Sequence, residues 1–334
     1  MEDICLDNMK VSIITPIYGV EKYIEKCAES LFSQTYEDCE FIFVNDCTKD
    51  NSVALLKEVM QKYSYRIENV KIISHSSNQG LACARNTGVR FATGEFVMHV
   101  DSDDTIESNA VELCVKKAIE NNSDAVIFGM RHIRKTGDIV EHVCVPNKHQ
   151  DYIKQLITRK ALVCMCGGLY RRSLYTDNNV WAIPGLNMGE DYSTKPRLLY
   201  YAKNVVALDL PLYNYNHLNE SSYTKSFNTN SIDNLQKAIE VLTSFFTNCI
   251  DYNDYKDALK EAALSSKIIL LKSWAITKST EQDFERIKYL FDDIDVRYID
   301  SLIDRFILIL ALKDQRTLMK MFVKFGVKFK SFFR

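Results

Sequence analysis

The chain has 334 residues, and its 42 Lys and Arg against 44 Asp and Glu give a formal net charge of −2. That balance argues against a general nucleic-acid-binding protein, which would carry a clear basic excess. Hydrophobic residues make up 46% of the chain, yet no apolar run approaches the ~20 residues that a membrane-spanning helix needs. We therefore expect one large folded domain, a smaller second part and no transmembrane helix.

The number and spacing of the cysteines indicate the cellular compartment of the protein. Ten cysteines are scattered without a regular framework, and the first ten residues lack the apolar core of a secretory signal. Cys164 and Cys166 are too close in sequence for a zinc knuckle and have no matching second pair. These features predict a protein of the reducing cytoplasm, in which most cysteines act as small buried hydrophobic residues.

The first hundred residues alternate between strand-like apolar runs and segments with helical periodicity. The predicted strands are 11–15, 40–44, 70–73 and 96–100, and the predicted helices are 21–34, 52–63 and 81–92. This alternation predicts a Rossmann-like α/β fold with a mostly parallel, doubly wound sheet. Ligands of such sheets bind at the carboxyl ends of the strands, where the polar clusters 15–18, 45–50 and 101–104 fall.

The sequence pattern changes after the first hundred residues. A helix over 107–121, a strand over 125–130 and a hairpin turn at 135–138 follow, and the mixed segment 164–216 is typical of a substrate-binding rim. From about residue 231 the pattern becomes that of long amphipathic helices, with no glycine before Gly326. We place a boundary near residue 228, which gives a catalytic domain over 1–228 and a helical C-terminal region over 229–334.

Asp101, Asp103 and Asp104 form the acidic cluster of this sequence, directly after the strand at 96–100. Three carboxylates this close repel one another unless a hard cation holds them, and Mg²⁺ or Mn²⁺ usually binds one or two carboxylates plus substrate phosphates. The cluster therefore predicts a divalent metal and a nucleotide-linked or phosphorylated substrate. For Asp104 we favour capping of the next helix over metal ligation. An EF-hand loop is excluded because Ile106 stands where that loop needs glycine.

Five segments, in this order, resemble the motifs of one family: VSIITPIY at 11–18, FVNDCTKDNS at 43–52, NQGLACARNTG at 78–88, DSD at 101–103 and GED at 189–191. Over about residues 10–225 the sequence is similar to the inverting family-2 glycosyltransferases with a GT-A fold. The resemblance is greatest to bacterial enzymes that assemble capsule, lipopolysaccharide or exopolysaccharide. Within these motifs the chain departs from the family at Cys47, where glycine is usual, and at Gly19, where asparagine is common.

The resemblance implies an enzyme that transfers a hexosyl or N-acetylhexosaminyl group from a nucleotide sugar, most often a UDP-sugar, to a hydroxyl of a glycan or lipid-linked acceptor. Mn²⁺ or Mg²⁺ would stabilise the diphosphate leaving group as a Lewis acid. The resemblance assigns the metal to Asp103, with Asp101 contacting the metal, its water or the ribose. The residues that it places around the nucleotide are Thr15, Pro16, Tyr18, Asp46, Arg85, Asp101, Ser102 and His217.

Within that set, Thr15 and Tyr18 would line the base and ribose, Asp46 would accept the uracil N–H, and Arg85 would lie near the base or pyrophosphate. His217, before the Ser/Thr cluster at 221–224, would reach the metal or pyrophosphate. Each has a plainer interpretation: Asp46 as a turn residue, Arg85 as a surface helix arginine, and His217 as a solvated loop histidine. For His217 the two interpretations carry equal weight.

Glu190 and Asp191 form a second acidic pair. Inversion by direct displacement needs a base that takes the proton of the attacking hydroxyl, and the resemblance assigns that role to Asp191. Glu190 would contact acceptor hydroxyls or tune its neighbour, since adjacent carboxylates can raise one pKa. Local sequence alone also fits two acidic residues that stabilise the start of a helix over 192–201.

The tail over 316–334 contains six basic and no acidic residues. On a helical wheel one side carries the aromatic residues Phe322, Phe325, Phe329, Phe332 and Phe333, and the basic residues lie opposite. This pattern is typical of an interfacial helix on an anionic membrane, here the inner face of the plasma membrane. The alternative is a helix that packs on the protein's own body or on a second subunit.

Two other functions stay open from the sequence. A sugar nucleotidyltransferase also has a doubly wound sheet and an acidic metal site, but it needs a glycine-rich loop with a basic residue near its N-terminus, and residues 15–18 are not such a loop. The second is a catalytically inactive glycan-binding subunit. The presence of both Asp103 and Asp191 argues against it.

Overall fold

The computed structural model describes residues 9–186, 188–219, 229–277 and 279–332, with side chains for all of these except 229 and 326–332. The chain divides into two compact units, of which the first comprises 1–156 with 161–221 and the second comprises 157–160 with 222–334. The domain boundary predicted near residue 228 lies outside the described residues.

The first unit contains a nine-stranded sheet within the described residues. Its strands are β1 Val11–Ile17, β2 Cys39–Asn45, β3 Val70–Ser74, β4 Phe96–His99, β5 Thr105–Ile106, β6 Ala125–Ile133, β7 Ile139–Glu141, β8 Gly168–Arg171 and β9 Val205–Asn216. The spatial order is β3-β2-β1-β4-β8-β6-β9-β5, and β7 pairs with β6. The four strands predicted within the first hundred residues are thus confirmed.

The sheet is less parallel than the sequence predicted. Strands β1 to β4 are mutually parallel, as expected from their helical crossovers. Strand β8 runs antiparallel to both β4 and β6, and β5 and β7 are also antiparallel to their partners. The sheet is therefore mixed. Strand β6 pairs in parallel with β9, while β8 lies between β4 and β6, so the direction of these later strands is set by tertiary pairing.

Five helices of the first unit agree with the predicted helices within a few residues, and the helices at 149–157 and 173–176 were not predicted. They are α1 Ile24–Phe32, α2 Ser52–Lys62, α3 Leu81–Phe91, α4 Ala110–Glu120, α5 His149–Ile157, α6 Ser173–Thr176 and α7 Glu190–Tyr200. The hairpin turn predicted at 135–138 is confirmed, since it joins the antiparallel strands β6 and β7.

The core of the first unit lies on both faces of the central strands. All seven residues of β1 are buried, as expected for a parallel strand covered by helices on both sides. On one face Phe32 of α1 meets Phe41 of β2 edge to face, with ring centroids 5.1 Å apart. On the other, a Cβ at Gly88 of α3 would lie 2.2 Å from Cγ2 of Ile14, so only glycine permits this close approach of helix to strand.

The second unit is helical, as predicted for the C-terminal region. Its helices are α8 Thr229–Thr247, α9 Tyr252–Ile276, α10 Glu281–Tyr289, α11 Leu302–Leu312 and α12 Arg316–Phe332. The long helix α9 forms the centre of its core, where Trp274 packs against Phe284 of α10 with ring centroids 4.7 Å apart. Among the described residues, no helix combines the length and apolar character that crossing a membrane requires.

Helix α12 covers most of the predicted tail and packs on its own unit through Met319 and Val323, which are 0% and 6% exposed. Phe322 contacts Phe306 of α11, with ring centroids 5.0 Å apart, and Phe325 is exposed. The predicted aromatic side of the helix is therefore turned partly outward. The side chains beyond Phe325 lie outside the described part of the chain.

Candidate active site

The candidate site is built on the carboxyl ends of β1, β2 and β4. Tyr18, the first residue after β1, is 53% exposed, whereas Thr15 and Pro16 within the strand are buried. The Oγ1 atom of Thr15 is buried and has no hydrogen-bond partner among the described residues. Of these three residues, which were predicted to line the nucleotide, Tyr18 has a solvent-exposed ring. Thr15 has a buried hydroxyl without a hydrogen-bond partner among the described residues.

Asp46, just after β2, is 3% exposed. Its Oδ1 accepts from His75 Nδ1 at 2.7 Å and from the backbone N–H of Gln79 at 2.8 Å, and its Oδ2 accepts from the N–H of Gly80 at 2.8 Å. Asp46 thus anchors the loop that leads into α3, whatever else it binds. His75, whose Nε2 lies 2.9 Å from the Thr87 hydroxyl, was not predicted, because a lone histidine after a strand carries no sequence signal.

The two departures from the family pattern occupy left-handed backbone positions. Cys47 has φ 59° and Gly19 has φ 69°. Glycine adopts this region freely, asparagine does so more readily than most residues, and a cysteine there is strained. The backbone geometry thus explains why glycine and asparagine are usual in these two places, and it shows that Cys47 keeps the loop's shape.

The acidic loop, residues 101–104, follows β4 and is held by β9. The Tyr213 hydroxyl accepts from the Asp101 N–H at 3.1 Å and donates to Asp104 Oδ2 at 2.6 Å. Asp104 Oδ1 also accepts from the Asn216 N–H at 2.6 Å. The predicted cap role of Asp104 is wrong, because Asn109 precedes α4 and Asp104 instead ties the loop to β9. Ser102 is buried within the same loop.

Asp103 is the acidic-loop residue that the resemblance assigned to the metal. Burial raises its pKa, and the charge of Asp101 raises it further. Its Oδ2 accepts from Asn219 Nδ2 at 2.8 Å. A carboxylate held in this way is destabilised when ionised, and a bound cation would relieve that cost.

These residues fit a hard divalent cation. The described part of the chain holds no group of three or more His, Cys, Asp or Glu arranged as a complete metal site. Mg²⁺ sites with one or two carboxylates need no third protein ligand, because substrate phosphates and water complete the shell. Asp103 and Asp101 would supply the oxygen donors of such a site.

Arg85 connects the acidic loop to the second acidic pair. This α3 side chain is 3% exposed; its Nη2 donates to Asp101 Oδ1 at 2.7 Å, and its Nη1 donates to both Glu190 Oε1 and Asp191 Oδ1. Burial by itself lowers the arginine's pKa, but Asp101, Asp191 and Glu190 outweigh burial and raise it. The guanidinium is therefore charged and paired with carboxylates, which excludes the surface-helix interpretation.

Glu190 and Asp191 are the first two residues of α7, after Gly189 with φ 86°. Neither caps the helix through its side chain; both face Arg85. Glu190 is 4% exposed, and burial raises its pKa against the opposing charge of Arg85. The Asp191 side chain keeps 24% of its surface exposed, so it is the member of the pair that an acceptor hydroxyl could reach.

His217 follows β9 and lies between Asn216 and Asn219, which both contact Asp103. Its Nε2 is 2.9 Å from Nδ1 of His132, so it is not simply a solvated loop residue. The Ser/Thr cluster at 221–224 lies outside the described residues. Among the aromatic residues near the site, Tyr170, Tyr192 and Tyr213 are buried.

Comparisons with known proteins identify the family of the chain. Residues 12–177 match the family model "Glycosyl transferase family 2". The chain is 30% identical over 249 residues to the uncharacterised glycosyltransferase EpsJ of Bacillus subtilis (strain 168). This alignment covers 71% of this chain and 69% of EpsJ. It is 38% identical over 132 residues to the poly(ribitol-phosphate) beta-glucosyltransferase of Bacillus spizizenii, covering 39% of this chain and 20% of that enzyme.

Solved structures share the fold. Residues 1–349 of S. aureus TarS in complex with UDP-GlcNAc superpose with a TM-score of 0.75 at 20% identity, covering 96% of this chain and 92% of that one. The same TarS fragment with UDP gives a TM-score of 0.71. The matching family model, the identity to EpsJ and the shared architecture show that this chain belongs to glycosyltransferase family 2 and is a glycosyltransferase with the GT-A fold.

Proposed function

We propose that the protein is an inverting, metal-dependent enzyme that transfers a sugar from a UDP-sugar to an acceptor hydroxyl of a cell-surface glycan. The observation that carries the proposal is the position of Arg85. One buried side chain contacts Asp101 of the acidic loop and both carboxylates at the start of α7. The donor-side and acceptor-side carboxylates therefore lie close together around one guanidinium. A direct displacement requires such closeness between the donor site and the base.

On the donor side, Asp103 and Asp101 would hold Mn²⁺ or Mg²⁺, and the bound cation would neutralise the charge that develops on the leaving diphosphate. The exposed ring of Tyr18 would stack on the base, and the Thr15 hydroxyl lies in the same strand end. Asp46 holds the Gln79–Gly80 backbone in place. Arg85 is assigned to positioning carboxylates, in place of the pyrophosphate contact that the resemblance implied.

On the acceptor side, Asp191 would accept the proton of the acceptor hydroxyl at a carboxylate oxygen. The hydroxyl oxygen then bonds to the anomeric carbon as the bond from that carbon to the diphosphate oxygen breaks, which inverts the configuration. Asp191 is partly exposed and is held by Arg85, so its carboxylate is accessible and oriented for this role. Glu190, buried and paired with the same arginine, would fix the geometry of its neighbour.

The substrates are proposed from the relatives. TarS has been solved with UDP-GlcNAc and with UDP, which supports a UDP-hexose or UDP-N-acetylhexosamine donor. The poly(ribitol-phosphate) beta-glucosyltransferase supports an acceptor in a cell-surface polymer, either a glycan or a lipid-linked precursor. Transfer of a nucleotidyl group is disfavoured by membership of a glycosyltransferase family, and an inactive glycan-binding subunit would show no turnover.

A thermal-shift panel tests this proposal. UDP-glucose, UDP-galactose, UDP-GlcNAc and UDP-GalNAc are each added with Mn²⁺, and GDP-mannose serves as the mismatched control. A ligand that binds only the folded state raises the melting temperature, so at least one UDP-sugar should raise it, and Asp103→Asn should reduce that shift. No shift with any UDP-sugar in Mn²⁺ would contradict the donor assignment.

The second unit supports a location on the inner face of the plasma membrane. Helices α11 and α12 expose several large apolar side chains: Leu302, Ile303, Phe306, Ile309, Leu312, Leu318, Met321, Phe322 and Phe325. After Asp314 the chain carries six basic and no acidic residues. We call these exposed apolar residues the α11–α12 face. Together with the basic residues they favour binding to an anionic lipid surface. Arg316, paired with Asp314, Glu281 and Glu285, belongs to the helix packing and not to that surface.

A further inference from the structure

We propose that Lys195 is a positioning residue for Arg85, and that its buried ammonium holds the segment 164–167 against the guanidinium that orients the base. The inference rests on the proposed function, because it adds a residue to the side chains that surround Asp191. Lys195 lies outside the five motifs of the sequence, and the mechanism described so far does not use it.

Lys195 is completely enclosed by the protein. It belongs to α7 and is 0% exposed, and its Nζ donates to the Cys164 carbonyl at 2.9 Å. The same Nζ lies 6.0 Å from the centre of the Tyr170 ring, a distance at which a cation is attracted to the ring face. Among the described residues, these two groups are its contacts, and no carboxylate forms an ion pair with it.

This burial is costly for the fold. An ammonium loses its hydration inside the protein, and a buried charge without an opposite charge in contact is destabilising. A methionine of similar length would fill the same space without that cost. The charge of Lys195 is therefore better explained by a role in the site than by a role in folding.

The contacts of Lys195 form a closed ring with those of Arg85. Lys195 holds the carbonyl of Cys164, and two residues further along the Sγ of Cys166 accepts from Arg85 Nη2 at 3.6 Å. Arg85 Nη1 in turn donates to the two carboxylates at the start of α7. Helix α7 is thus joined to Arg85 twice, directly through its first turn and indirectly through the segment 164–167.

The segment is closely packed on its other side. Cys166 is 0% exposed, and a Cβ at Gly167 would lie 2.6 Å from Cδ2 of Leu162. A segment packed this closely passes on a displacement instead of absorbing it. Loss of the Lys195 contact should therefore move Cys166 and the Arg85 guanidinium that it contacts.

The strength of the contact depends on the protonation of Lys195. The ionisable groups around it are a carboxylate of its own helix, a carboxylate of β7, a tyrosine of β8 and two thiols: Asp191, Glu141, Tyr170, Cys164 and Cys166. Burial lowers the pKa of Lys195 from 10.5 to about 8, and the carboxylates and thiols oppose that shift without cancelling it. A charged donor holds a carbonyl more strongly than a neutral one, so the contact weakens above that pH.

The experiment compares Lys195→Met with the wild type in three measurements. These are kcat for UDP release in Mn²⁺ from the UDP-sugar with the largest thermal shift, UDP affinity by calorimetry, and the melting temperature. Lys195→Gln is a second variant, which keeps N–H donors without the charge. The matched control is Lys267→Met: Lys267 of α9 is 1% exposed and burial lowers its pKa too, but it belongs to the second unit.

Lys195→Met should lower kcat at least about 10-fold, since a small misplacement of groups in an active site has a large effect on rate. Its UDP affinity should match that of the wild type, and its melting temperature should be equal or higher. Lys195→Gln should lower kcat to a smaller extent. Lys267→Met should keep the kcat of the wild type.

The pH dependence gives a readout that a structural role would not move. Wild-type kcat should fall as the pH rises through about 8, and this fall should be absent from Lys195→Met. Stability should respond in the opposite sense, because a lysine whose folded-state pKa is depressed destabilises the fold most below that pKa. The melting temperature of Lys195→Met minus that of the wild type should therefore decrease between pH 7 and pH 9.

Three results would overturn the inference. If the wild type releases UDP and Lys195→Met does so at the same rate, Lys195 does not position Arg85, and the proposed function stands. If both Lys195 variants melt well below the wild type, or if Lys267→Met loses as much activity, Lys195 is a structural residue. If the wild type releases no UDP from any UDP-sugar in Mn²⁺, the inference fails together with the proposed function.

Discussion

Arg85 shows how a single residue determines the electrostatics of the site. It lies among Asp101, Glu190 and Asp191, which would repel one another in its absence. Burying an ion pair gains little net stability, but removing one partner leaves an uncompensated buried charge. The role of Arg85 is therefore to make the clustering of three carboxylates possible, and that role can be separated from ligand binding.

We predict that Arg85→Ala lowers the free energy of unfolding by about 3–5 kcal/mol at pH 7, because it leaves Glu190 buried without its cation. Urea denaturation measures this, and adding Glu190→Gln should restore part of the loss. Arg90→Ala is the control on the same helix, since Arg90 only packs over the Trp181 ring and should contribute about 1 kcal/mol or less. A loss of equal size in both single variants would refute this account of Arg85.

For Asp191→Asn we predict a fall in transfer of at least about 10²-fold, because the amide cannot take the acceptor proton. UDP affinity should stay near that of the wild type, since the donor-side residues are untouched. Steady-state transfer assays and calorimetry give the two values. Turnover like that of the wild type would remove Asp191 from the base role.

The sequence predicted the residues whose roles are carried by local motifs. Asp101, Arg85, Glu190 and Asp191 were singled out before the fold was known, and the structure places them in contact. His75 could not be predicted, because its partner Asp46 lies 29 positions away in the chain and a lone histidine has no spacing to recognise. Asp104 was assigned to a helix cap because the two-residue strand β5 after it has no sequence signature.

At the scale of elements, β2 carries a second polar network at its amino end, opposite to the site. The Glu40 carboxylate, 2% exposed, accepts from Ser12 Oγ at 2.6 Å, from the Thr93 N–H at 2.6 Å and from Lys71 Nζ at 2.8 Å. Burial tends to raise the pKa of Glu40, but the hydrogen bonds from Lys71, Ser12 and Thr93 outweigh it and lower the pKa from 4.5 to about 2. This network joins β1, β2 and β3 to the turn before β4.

We predict that Glu40→Gln lowers the free energy of unfolding by about 3 kcal/mol at pH 7, the equivalent of the pKa shift. Because the folded-state pKa is depressed, the stabilisation is present above pH 4.5 and is lost as pH falls towards about 2. Urea denaturation between pH 7 and pH 3 should show the difference between wild type and variant shrinking below pH 4.5. A difference that is constant across this range would contradict the role of the charge, and UDP affinity at pH 7 serves as the control for the site.

The elements that the sequence predicted are those with regular periodicity. Strands β1 to β4 and their helices are recovered because each strand is a largely apolar run and the helices between them are amphipathic. The antiparallel strand β8 and the long strand β9 were not predicted. Strand β8 has only four residues, and β9 contains Pro211 and pairs with β6 through register shifts at Gly129. Their assignment depends on pairing with distant strands, which no local pattern encodes.

At the scale of the whole molecule, the chain combines a catalytic unit with a helical unit that exposes an apolar face. Helix α12 uses Met319 and Val323 for its own packing. Phe306 and Phe322 pack against each other, and the other outward residues of α11 and α12 are exposed. That leaves them available for a surface outside the protein.

We predict that the protein co-sediments with vesicles that contain phosphatidylglycerol more strongly than with phosphatidylcholine vesicles. Ile303→Asp and Phe325→Asp should each reduce this binding, because both side chains are 60% or more exposed on the α11–α12 face. Ile250→Asp is the control, since Ile250 is fully exposed in the connection between α8 and α9. Removal of residues 316–334 should abolish binding. Undiminished binding by Ile303→Asp, Phe325→Asp and the truncated protein would contradict a membrane role for this face.

The central claim is tested most directly by UDP release from a panel of UDP-sugars, measured in Mn²⁺ and in EDTA for the wild type, Asp103→Asn and Asp191→Asn. With at least one donor the wild type should release UDP in Mn²⁺, and EDTA or either substitution should lower the rate by at least about 10²-fold. Release that is equal in EDTA, or equal in Asp191→Asn, would contradict a metal-dependent displacement with Asp191 as its base.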